Sequence, residues 1–472
     1  MTGALRLGIR TAVLFAGLLM VMFWAEAHGF VSSTVTQTWA KAIVQIEGPP
    51  VFRSSESFYP PLTYTIALIA QVLVPDSAIP VPNLMAALIG ALLLCAWFSN
   101  LRQRGAYDPL TAALLVALLA LNPLFLRAVS DGPSTLLLLA GTWIYARGLL
   151  NLRMSGNAPD MMKVAVGLLV ILLSHAYGLL IAVGTLPFIV VAARPSLLVA
   201  SSAGYLVSMF FPVAAAFGSM LFVSAILKTT FLSDRIFGPA GTTAGAEMLV
   251  PLLAAMPVVL AAMIRTRRLP RYVMPLLSVA GSLLGAAVLD TVWGIEPDPA
   301  IVAIPTLGLV VVAIRIWPES PLRAPVLAAL LVLTAVLSHL AIRSHGSAES
   351  LRWQAAMQGH AVPDVLAADR AAAAFLRDRR EVLLDVERHP GMIAALGTLE
   401  PFIVPGQPAY DMAVLGGRPR AEYIAVYHDS TEVQPKDRLL RAFPQLLDHN
   451  TPGYRLVHDQ GGWRVFSIEN RD

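Results

Sequence analysis

The chain has 472 residues, of which 56% are hydrophobic and only 14% are charged, whereas about a quarter of the residues of a soluble globular protein are charged. This deficit excludes an ordinary soluble protein and indicates that lipid is the main solvent of the chain. The net charge of +4 does not indicate nucleic-acid binding, because the basic residues cluster in short loops between apolar runs. The single cysteine, Cys95, excludes an intramolecular disulfide and a CxxC motif.

The N-terminus, MTGALRLGIR followed by an apolar stretch to Ala25, resembles a signal peptide. No small-x-small cleavage site precedes the polar segment, so we interpret it as an uncleaved first helix. A membrane-crossing helix needs about 20 apolar residues, and we predict about 11 to 13 of them. The candidate spans are 8–25, 83–100, 110–127, 133–150, 161–175, 177–193, 196–216, 246–264, 272–291, 299–316 and 323–342.

Positive charge in the loops predicts the orientation of the spans. Arginines precede the first span and fill the loops NLRQRG and IRTRRLPR. With these loops in the cytoplasm, the spans alternate correctly only if the apolar stretch 60–74 does not cross fully. The sequence therefore predicts a multi-pass inner-membrane protein whose C-terminal domain is periplasmic.

The pattern changes after Arg343, where helix-like stretches alternate with strand-like runs. Residues 1–342 are predicted to form the transmembrane domain, with 26–60 as its first periplasmic loop, and residues 343–472 a small α/β domain. The strands are expected at Glu381–Val386, Glu422–Tyr427, Tyr454–His458 and Trp463–Ile468, with DQGG as a hairpin turn. The spacing of Asp385, His389, His428 and Asp429 matches no familiar metal site, and neither a metal nor another cofactor is predicted.

Two outer segments carry the candidate functional residues. The first outer loop is long and polar, as functional loops often are, and it holds Glu26, His28, Arg53 and Glu56. The second outer turn, NPLFLRAVSDGPSTLLL, holds Arg127 and Asp131, which could anchor a helix at the interface or bind a lipid phosphate. Nearer the middle of the chain, FLSDRIFGPAG at 231–241 could be an interfacial loop or a cover over the site.

These two segments resemble the GT-C fold glycosyltransferases that use polyprenyl-phosphate sugars, a group that includes the protein O-mannosyltransferases, the aminoarabinose transferases and the rhizobial galacturonosyltransferases. FYPPLTY, residues 58–64, resembles the Pro-Pro element of the group, and the second outer turn resembles its "small-Pro-Leu … Arg … Pro-Asp" turn. LLSHAYGLLIAV is similar to a later span. The resemblance covers about the first 195 residues well and implies a GT-C transmembrane fold with a lipid-linked sugar as donor.

Residues near the matching segments are the candidates for the site that the resemblance implies. The expected catalytic residues are Glu26, Glu56 and Asp131. The expected ligands of the donor phosphate are Arg53, Arg127, Lys228 and Arg235, because arginine suits bidentate phosphate contacts. The expected substrate-loop residues are His28, Tyr59, Tyr64 and Ser134.

The chain departs from the group at its usual acidic positions. The acidic pair of the group falls at about Ser32, Ser33 and Thr34, and its Asp in the second outer turn falls on Ser134. A serine cannot accept a proton at neutral pH. Another acid must therefore have taken over, or the site does different chemistry or none.

Three functions are consistent with these observations. The first is a membrane glycosyltransferase that moves a sugar from a polyprenyl-phosphate donor to a periplasmic glycolipid, polysaccharide or protein. The second is a catalytically inactive GT-C scaffold or partner subunit of an envelope glycan assembly. The third, a transporter or flippase, predicts charges deep in several spans and inverted repeats, and the sequence shows neither.

Overall fold

The computed structural model describes residues 3–49, 60–75, 77, 79–193, 195–227, 245–416, 419–428, 437–447 and 452–469. Within them the chain divides into two compact units. The first unit consists of Met1–His28, Phe58–Thr65 and Asn83–Val362, and the second consists of Gly29–Ser57, Ile66–Pro82 and Pro363–Asp472.

Helices dominate the first part of the chain. In chain order they are α1 (Gly3–Ala27), α2 (Ser33–Glu47), α3 (Pro61–Leu73), α4 (Val81–Arg104), α5 (Pro109–Ala120), α6 (Pro123–Asp131), α7 (Pro133–Ser155), α8 (Ala158–Ser174), α9 (Tyr177–Thr185), α10 (Ile189–Ala192), α11 (Pro195–Leu227), α12 (Gly245–Ala254), α13 (Pro257–Arg265), α14 (Pro270–Trp293), α15 (Pro299–Ala303), α16 (Thr306–Arg315), α17 (Arg323–His345) and α18 (Ala348–Met357).

Six helices in the described part of the chain are long and apolar enough to cross a membrane. They are Leu7–Ala27, Val81–Arg104, Pro133–Ser155, Ala203–Val223, Pro270–Trp293 and Arg323–His345. Two bent helix pairs, α5 with α6 and α12 with α13, could each add one span. The prediction of a multi-pass helical membrane protein is therefore confirmed. The predicted total of spans also counts shorter segments such as 161–175, which α8 occupies.

Two predicted segments differ in detail from the helices observed. The predicted span 110–127 is broken after Ala120, because Asn122 caps a new helix that starts at Pro123, and the two helices meet at 62°. The candidate span 196–216 is part of a longer single helix, α11, of 33 residues. The stretch 60–74, which was expected not to cross fully, forms helix α3 of 13 residues, which is roughly 20 Å long and too short to cross the hydrocarbon core.

The arginine-rich loops of the first unit gather at one end of the helices. Arg104 lies close enough to Arg147 and Arg315 to repel both. The guanidinium of Arg323, the first residue of α17, contacts the loop that follows α4. It donates to the Gly105 carbonyl and stacks on the Tyr107 ring, 3.5 Å from the ring centroid. We call this the arginine end of the unit, and the starts of α7 and α15 lie at the opposite end.

Small residues let the helices around α7 approach closely. A Cβ atom at Gly167 of α8 would lie 2.5 Å from the backbone nitrogen of Tyr145, and one at Gly308 of α16 would lie 2.8 Å from that of Trp143. Close contacts of this kind replace the hydrophobic driving force that is missing between helices in lipid.

The second unit is a small α/β fold. Its C-terminal elements are α19 (Ala367–Leu376), β1 (Val382–Leu383), α20 (Pro390–Leu396), β2 (Phe402–Ile403), α21 (Pro408–Val414), β3 (Tyr423–Tyr427), α22 (Arg438–Ala442), a 3₁₀ turn (Pro444–Leu447), β4 (Tyr454–Gln460) and β5 (Trp463–Ile468). The sheet order is β2-β1-β3-β5-β4, in which β1 is parallel to both of its neighbours and β5 is antiparallel to both of its own.

The two side chains of the short strand β1 lie on opposite faces of this sheet. Val382 joins one apolar core and Leu383 joins the other. The predicted DQGG hairpin is confirmed, since Gly461 and Gly462, both with positive φ, connect β4 to β5. The C-terminal α/β fold predicted from the sequence is present, whereas the two-residue strand β2 was not predicted.

Helix α2, which lies in the predicted first outer loop, packs into one of these cores. Ala40 and Ile43 are buried there beside Met392 of α20. At the C-terminal end of α2, the Glu47 carboxylate accepts hydrogen bonds from the Thr398 hydroxyl at 2.7 Å and from the Leu399 N–H at 2.6 Å. The segment after the first helix is therefore a folded part of the second unit.

Two of the four residues considered as metal ligands, His389 and Asp385, have side-chain partners in the second unit. The His389 ring pairs with Asp437, with 3.0 Å between Nε2 and Oδ2. Asp385 accepts from the Arg438 N–H at 3.1 Å, and Asp429 lies outside the described residues. Among the residues that the structure describes, no group of three His, Cys, Asp or Glu side chains is arranged to hold a metal ion.

Candidate active site at the end of the helices opposite the arginine loops

The two sequence segments that carry the family resemblance both contact the end of α8, where the chain breaks before α9. His175 is extended, with φ −151° and ψ 148°, so that the helix stops at Ser174. The Ser174 carbonyl accepts hydrogen bonds from the Thr63 hydroxyl at 2.8 Å and the Ser134 hydroxyl at 2.7 Å. The described part of the Pro-Pro element and the second outer turn therefore meet at one carbonyl.

Local sequence explains the geometry of the second outer turn. The Asn122 side chain caps α6 by accepting from the Leu124 N–H, and Pro123 occupies the first helical turn. Gly132 has φ +107° and ψ −169°, a conformation that favours glycine, and it links α6 directly to α7. This short link places Asp131 and Ser134 at the same end of the helices.

Arg127 lies at the centre of a buried cluster of charges. Its guanidinium is only 1% exposed and contacts three carboxylates. The distances are 3.1 Å from Nη1 to Asp131, 3.3 Å from Nη2 to Asp298 and 3.4 Å from Nη2 to Glu349. We call these four residues the Arg127 cluster. Because a planar guanidinium has donors in three directions, it can join three separate elements of the unit.

Hydroxyl groups complete the cluster. The Arg127 Nε donates to the Ser350 hydroxyl at 2.9 Å, and that hydroxyl donates to Asp298 at 2.6 Å. The Thr135 hydroxyl donates to the second oxygen of Asp131 at 2.9 Å. The carboxylate of Asp131 is thus hydrogen-bonded at both oxygens, by Arg127 and by Thr135, and the cluster binds the start of α18 to α6.

Next to this cluster lies a second acidic group, in the loop between α14 and α15. Glu296 is 7% exposed, and its Oε1 accepts from the Asp298 N–H at 3.0 Å. Its Oε2 lies 3.6 Å from Nε2 of His175. Burial raises the pKa of Glu296 well above its ordinary value, and the charge of Asp298 raises it further.

The loop that presents Glu296 is held by Asp290. Asp290 Oδ1 accepts from the N–H groups of Ile295 and Glu296 at 2.8 and 3.1 Å, and Gly294 with φ +60° ends the helix. Asp290 Oδ2 and the Tyr177 hydroxyl are buried and have no hydrogen-bond partner among the described residues. Asp290 and Glu296 are both near enough to Tyr177 to act on its hydroxyl electrostatically.

The remaining predicted site residues divide into two groups. In the described part, Glu26 is exposed and Tyr64 is buried. The His28 ring lies tilted against the Trp24 ring and contacts the Trp24 carbonyl at 2.7 Å. Ser32 caps helix α2 by accepting from the Val35 N–H. The other group, which lies outside the described residues, comprises Arg53, Glu56, Tyr59, Lys228 and Arg235.

The sequence analysis did not single out four residues of this region: Glu296, Asp298, Glu349 and Ser350. A signal for the first two was present, since GIEPDP places two acids between the apolar stretches 272–291 and 299–316, and acids beside membrane spans are functional candidates. Glu349 and Ser350 gave no such signal, because they follow Arg343, where the sequence pattern turns soluble.

Comparisons with solved structures identify the fold. The structure of ArnT from Cupriavidus metallidurans bound to undecaprenyl phosphate is 14% identical, with a TM-score of 0.58 and 97% of each chain covered. The apo state of the same protein is 12% identical, with a TM-score of 0.57 and 97% of each chain covered. An Archaeoglobus fulgidus oligosaccharyltransferase tethered with an acceptor peptide is 12% identical, with a TM-score of 0.39 over 88% of this chain and 69% of the other.

No protein-family model matches the chain, and no curated protein sequence matches it significantly. The structural likeness to ArnT nevertheless extends over almost the whole of both chains. The prediction made from the Pro-Pro element and the second outer turn is confirmed at the level of the fold. The chain is a multi-pass membrane protein with the GT-C fold.

Proposed function

We propose that the protein is a membrane glycosyltransferase that moves a sugar from a polyprenyl-phosphate donor to an acceptor of the bacterial cell envelope. One observation carries the proposal: a GT-C fold over almost the whole chain has a buried group of acids at the end of its helices opposite the arginine loops. A structure of the similar protein ArnT contains undecaprenyl phosphate, which supports a polyprenyl phosphate as the lipid partner.

The positive-inside rule gives the orientation of this proposal. If the arginine end lies on the cytoplasmic side of the inner membrane, the buried acids lie on the periplasmic side. The C-terminal α/β fold is then periplasmic as well. A lipid-linked donor would keep its chain in the bilayer and its sugar at this outer surface, where periplasmic acceptors are found.

Glu296 is the residue we propose as general base. The acceptor oxygen attacks the anomeric carbon and passes its proton to the Glu296 carboxylate. The bond from the anomeric carbon to the phosphate oxygen breaks, and its electron pair leaves with the polyprenyl phosphate. A carboxylate whose pKa is raised is a stronger base than an ordinary one, and His175 at 3.6 Å is placed to receive or return the proton.

The contacts of Arg127 support a positioning role for it. One guanidinium among three carboxylates leaves the cluster with an excess of negative charge, which would repel a donor phosphate. The cluster instead holds Asp298, whose N–H donates to Glu296. The roles of Arg53, Lys228 and Arg235 as phosphate ligands, and those of Glu26, Glu56 and Asp131 as catalytic acids, stay predictions.

The test is complementation of a deletion strain, with cell-envelope glycans and polyprenyl-phosphate sugars measured by mass spectrometry. Deletion should remove one envelope modification and leave its lipid-linked donor in excess. Glu296→Gln should reach the membrane at the wild-type level and fail to restore the modification. Glu319→Gln, which changes an exposed acid in the WPES loop, is the matched control and should restore it.

A second candidate function is a scaffold without transferase activity. It is favoured by Ser32, which stands near an expected acidic position and caps a helix. The same strains distinguish the two functions. If Glu296→Gln, Asp131→Asn, Glu26→Gln and Glu56→Gln each restore the modification in full, while deletion abolishes it, the transferase proposal is wrong and the scaffold is the better account.

A further inference from the structure

The Arg127 cluster, Glu296 and His175 together form what we call the acidic site. A groove at the arginine end of the first unit is distinct from it. It lies between α1, α4 and α5 and has a volume of about 960 Å³. Its walls are mainly apolar, with Val13, Leu94 and Val116 among them. At its mouth are Arg10 and Arg102, and we call it the arginine groove.

The two arginines at the mouth share one aromatic ring. The guanidinium carbon of Arg10 lies 5.0 Å from the centroid of Phe98, and that of Arg102 lies 5.9 Å from the same centroid. Both side chains are exposed, and neither has an ion-pair partner among the described residues. The ring therefore holds two uncompensated positive charges around the entrance.

The acid that follows Arg102 most closely in the sequence, Asp108, accepts hydrogen bonds from backbone N–H groups. Asp108 directly precedes α5, and its carboxylate accepts from the N–H groups of Leu110 and Thr111, both at 3.0 Å. It caps the helix and does not neutralise the arginines. The mouth of the groove is thus complementary in charge to an anion, and two arginines suit the oxygens of a phosphate.

The depth of the groove matches one leaflet of the bilayer. Both Pro109 and Ala120 line it, and eleven helical steps between them span roughly 17 Å. Half of the hydrocarbon core is about 15 Å thick. A lipid with its phosphate at the arginines would extend its acyl chains along this length, between helices that face the bilayer.

We propose that the arginine groove binds one anionic phospholipid, such as phosphatidylglycerol, from the leaflet at the arginine end. The phosphate contacts Arg10 and Arg102, and an acyl chain fills the space between α1, α4 and α5. This lipid is separate from the donor: the acidic site lies at the other end of α7, a helix of 23 residues that is roughly 35 Å long.

The experiment measures lipid binding to the full-length protein by native mass spectrometry. Purified protein is titrated with phosphatidylglycerol and with phosphatidylcholine of the same acyl chains. The wild type should prefer phosphatidylglycerol. The double variant Arg10→Gln and Arg102→Gln should bind it roughly 10- to 30-fold more weakly, as expected for the loss of two basic contacts at a membrane surface.

Two further variants separate the groove from general surface charge. Arg267→Gln with Arg268→Gln removes the same charge from exposed arginines of another basic loop and should leave the affinity unchanged. Ala117→Phe would fill the groove at a residue of its wall and should weaken binding with both arginines in place. Equal losses in the two double variants, or full binding by Ala117→Phe, would overturn the proposal.

Undecaprenyl phosphate provides the last arm of the experiment. If phosphatidylglycerol stays bound when undecaprenyl phosphate is added, the groove holds a phospholipid as proposed. If undecaprenyl phosphate displaces it in the wild type and loses affinity in the arginine double variant, the groove belongs to the carrier lipid and the proposal fails.

Discussion

Replacing Arg127 by Met should destabilise the first unit far more than a typical substitution does. The side chain keeps a similar apolar stem, but Asp131, Asp298 and Glu349 lose their shared cation. Removing one partner of a buried ion pair costs about 3–5 kcal/mol, because the charge left behind is neither solvated nor paired. Because three carboxylates lose their cation together, we expect the loss of stability in Arg127→Met to lie in the upper part of this range.

The measurement is the free energy of unfolding in mixed micelles with increasing sodium dodecyl sulfate. The matched control is Arg343→Met, at an exposed position near the end of α17, which should change stability by about 0.5 kcal/mol or less. Arg127→Lys should recover only part of the loss, because one ammonium group cannot replace donors that point in three directions. A loss below about 1 kcal/mol for Arg127→Met would refute the buried cluster as an anchor.

Three other predictions concern the second unit. Glu47→Gln replaces a carboxylate that accepts hydrogen bonds from Thr398 and Leu399, and it should lower the free energy of unfolding by about 1–2 kcal/mol. Faster hydrogen exchange in α2 would show this loss. Gly461→Ala should cost about 1–3 kcal/mol in thermal unfolding, because its Cβ would lie 2.6 Å from that of Ala368, whereas Gly453→Ala, also at positive φ but in open space, reports the backbone strain alone. Burial raises the pKa of Asp369 above its ordinary 3.8, so the native state holds this proton more tightly than the unfolded chain does. Ionisation therefore costs stability as the pH rises above about 4, and the stability of Asp369→Asn relative to the wild type should increase with pH; a constant difference would contradict the raised pKa.

The length of the apolar stretches was sufficient to predict a multi-pass helical membrane protein. The 20-residue pattern needs no tertiary information, since lipid demands the same helix from each span. Local signals were also sufficient for the hairpin at Gly461 and Gly462, where the turn itself requires glycine. The sequence could not predict that α2 packs into the second unit. The helical spacing of its apolar residues shows that one face is covered, but not by which partner.

The acidic site was predicted only in part, for a similar reason. Arg127 and Asp131 are four residues apart on one helix, so their contact follows from local geometry. Asp298, in a loop, and Glu349, in the first turn of α18, contact the same guanidinium from 171 and 222 residues away, and no local pattern encodes these contacts. The sequence analysis chose candidate catalytic acids from the long outer loop. It therefore selected Glu26, which is exposed in the structure, and did not select Glu296.

The serines at the expected acidic positions, Ser32 and Ser134, both make structural contacts. Ser32 starts α2, where a short hydroxyl side chain is among the preferred caps. Ser134 donates to the carbonyl left open by the break at Ser174, a contact that an ionised carboxylate could not make because it has no proton to donate. Each serine thus does a structural task in its own unit. If the chain transfers sugars, its base must come from another element, and the loop that Asp290 and Gly294 fold brings Glu296 to His175.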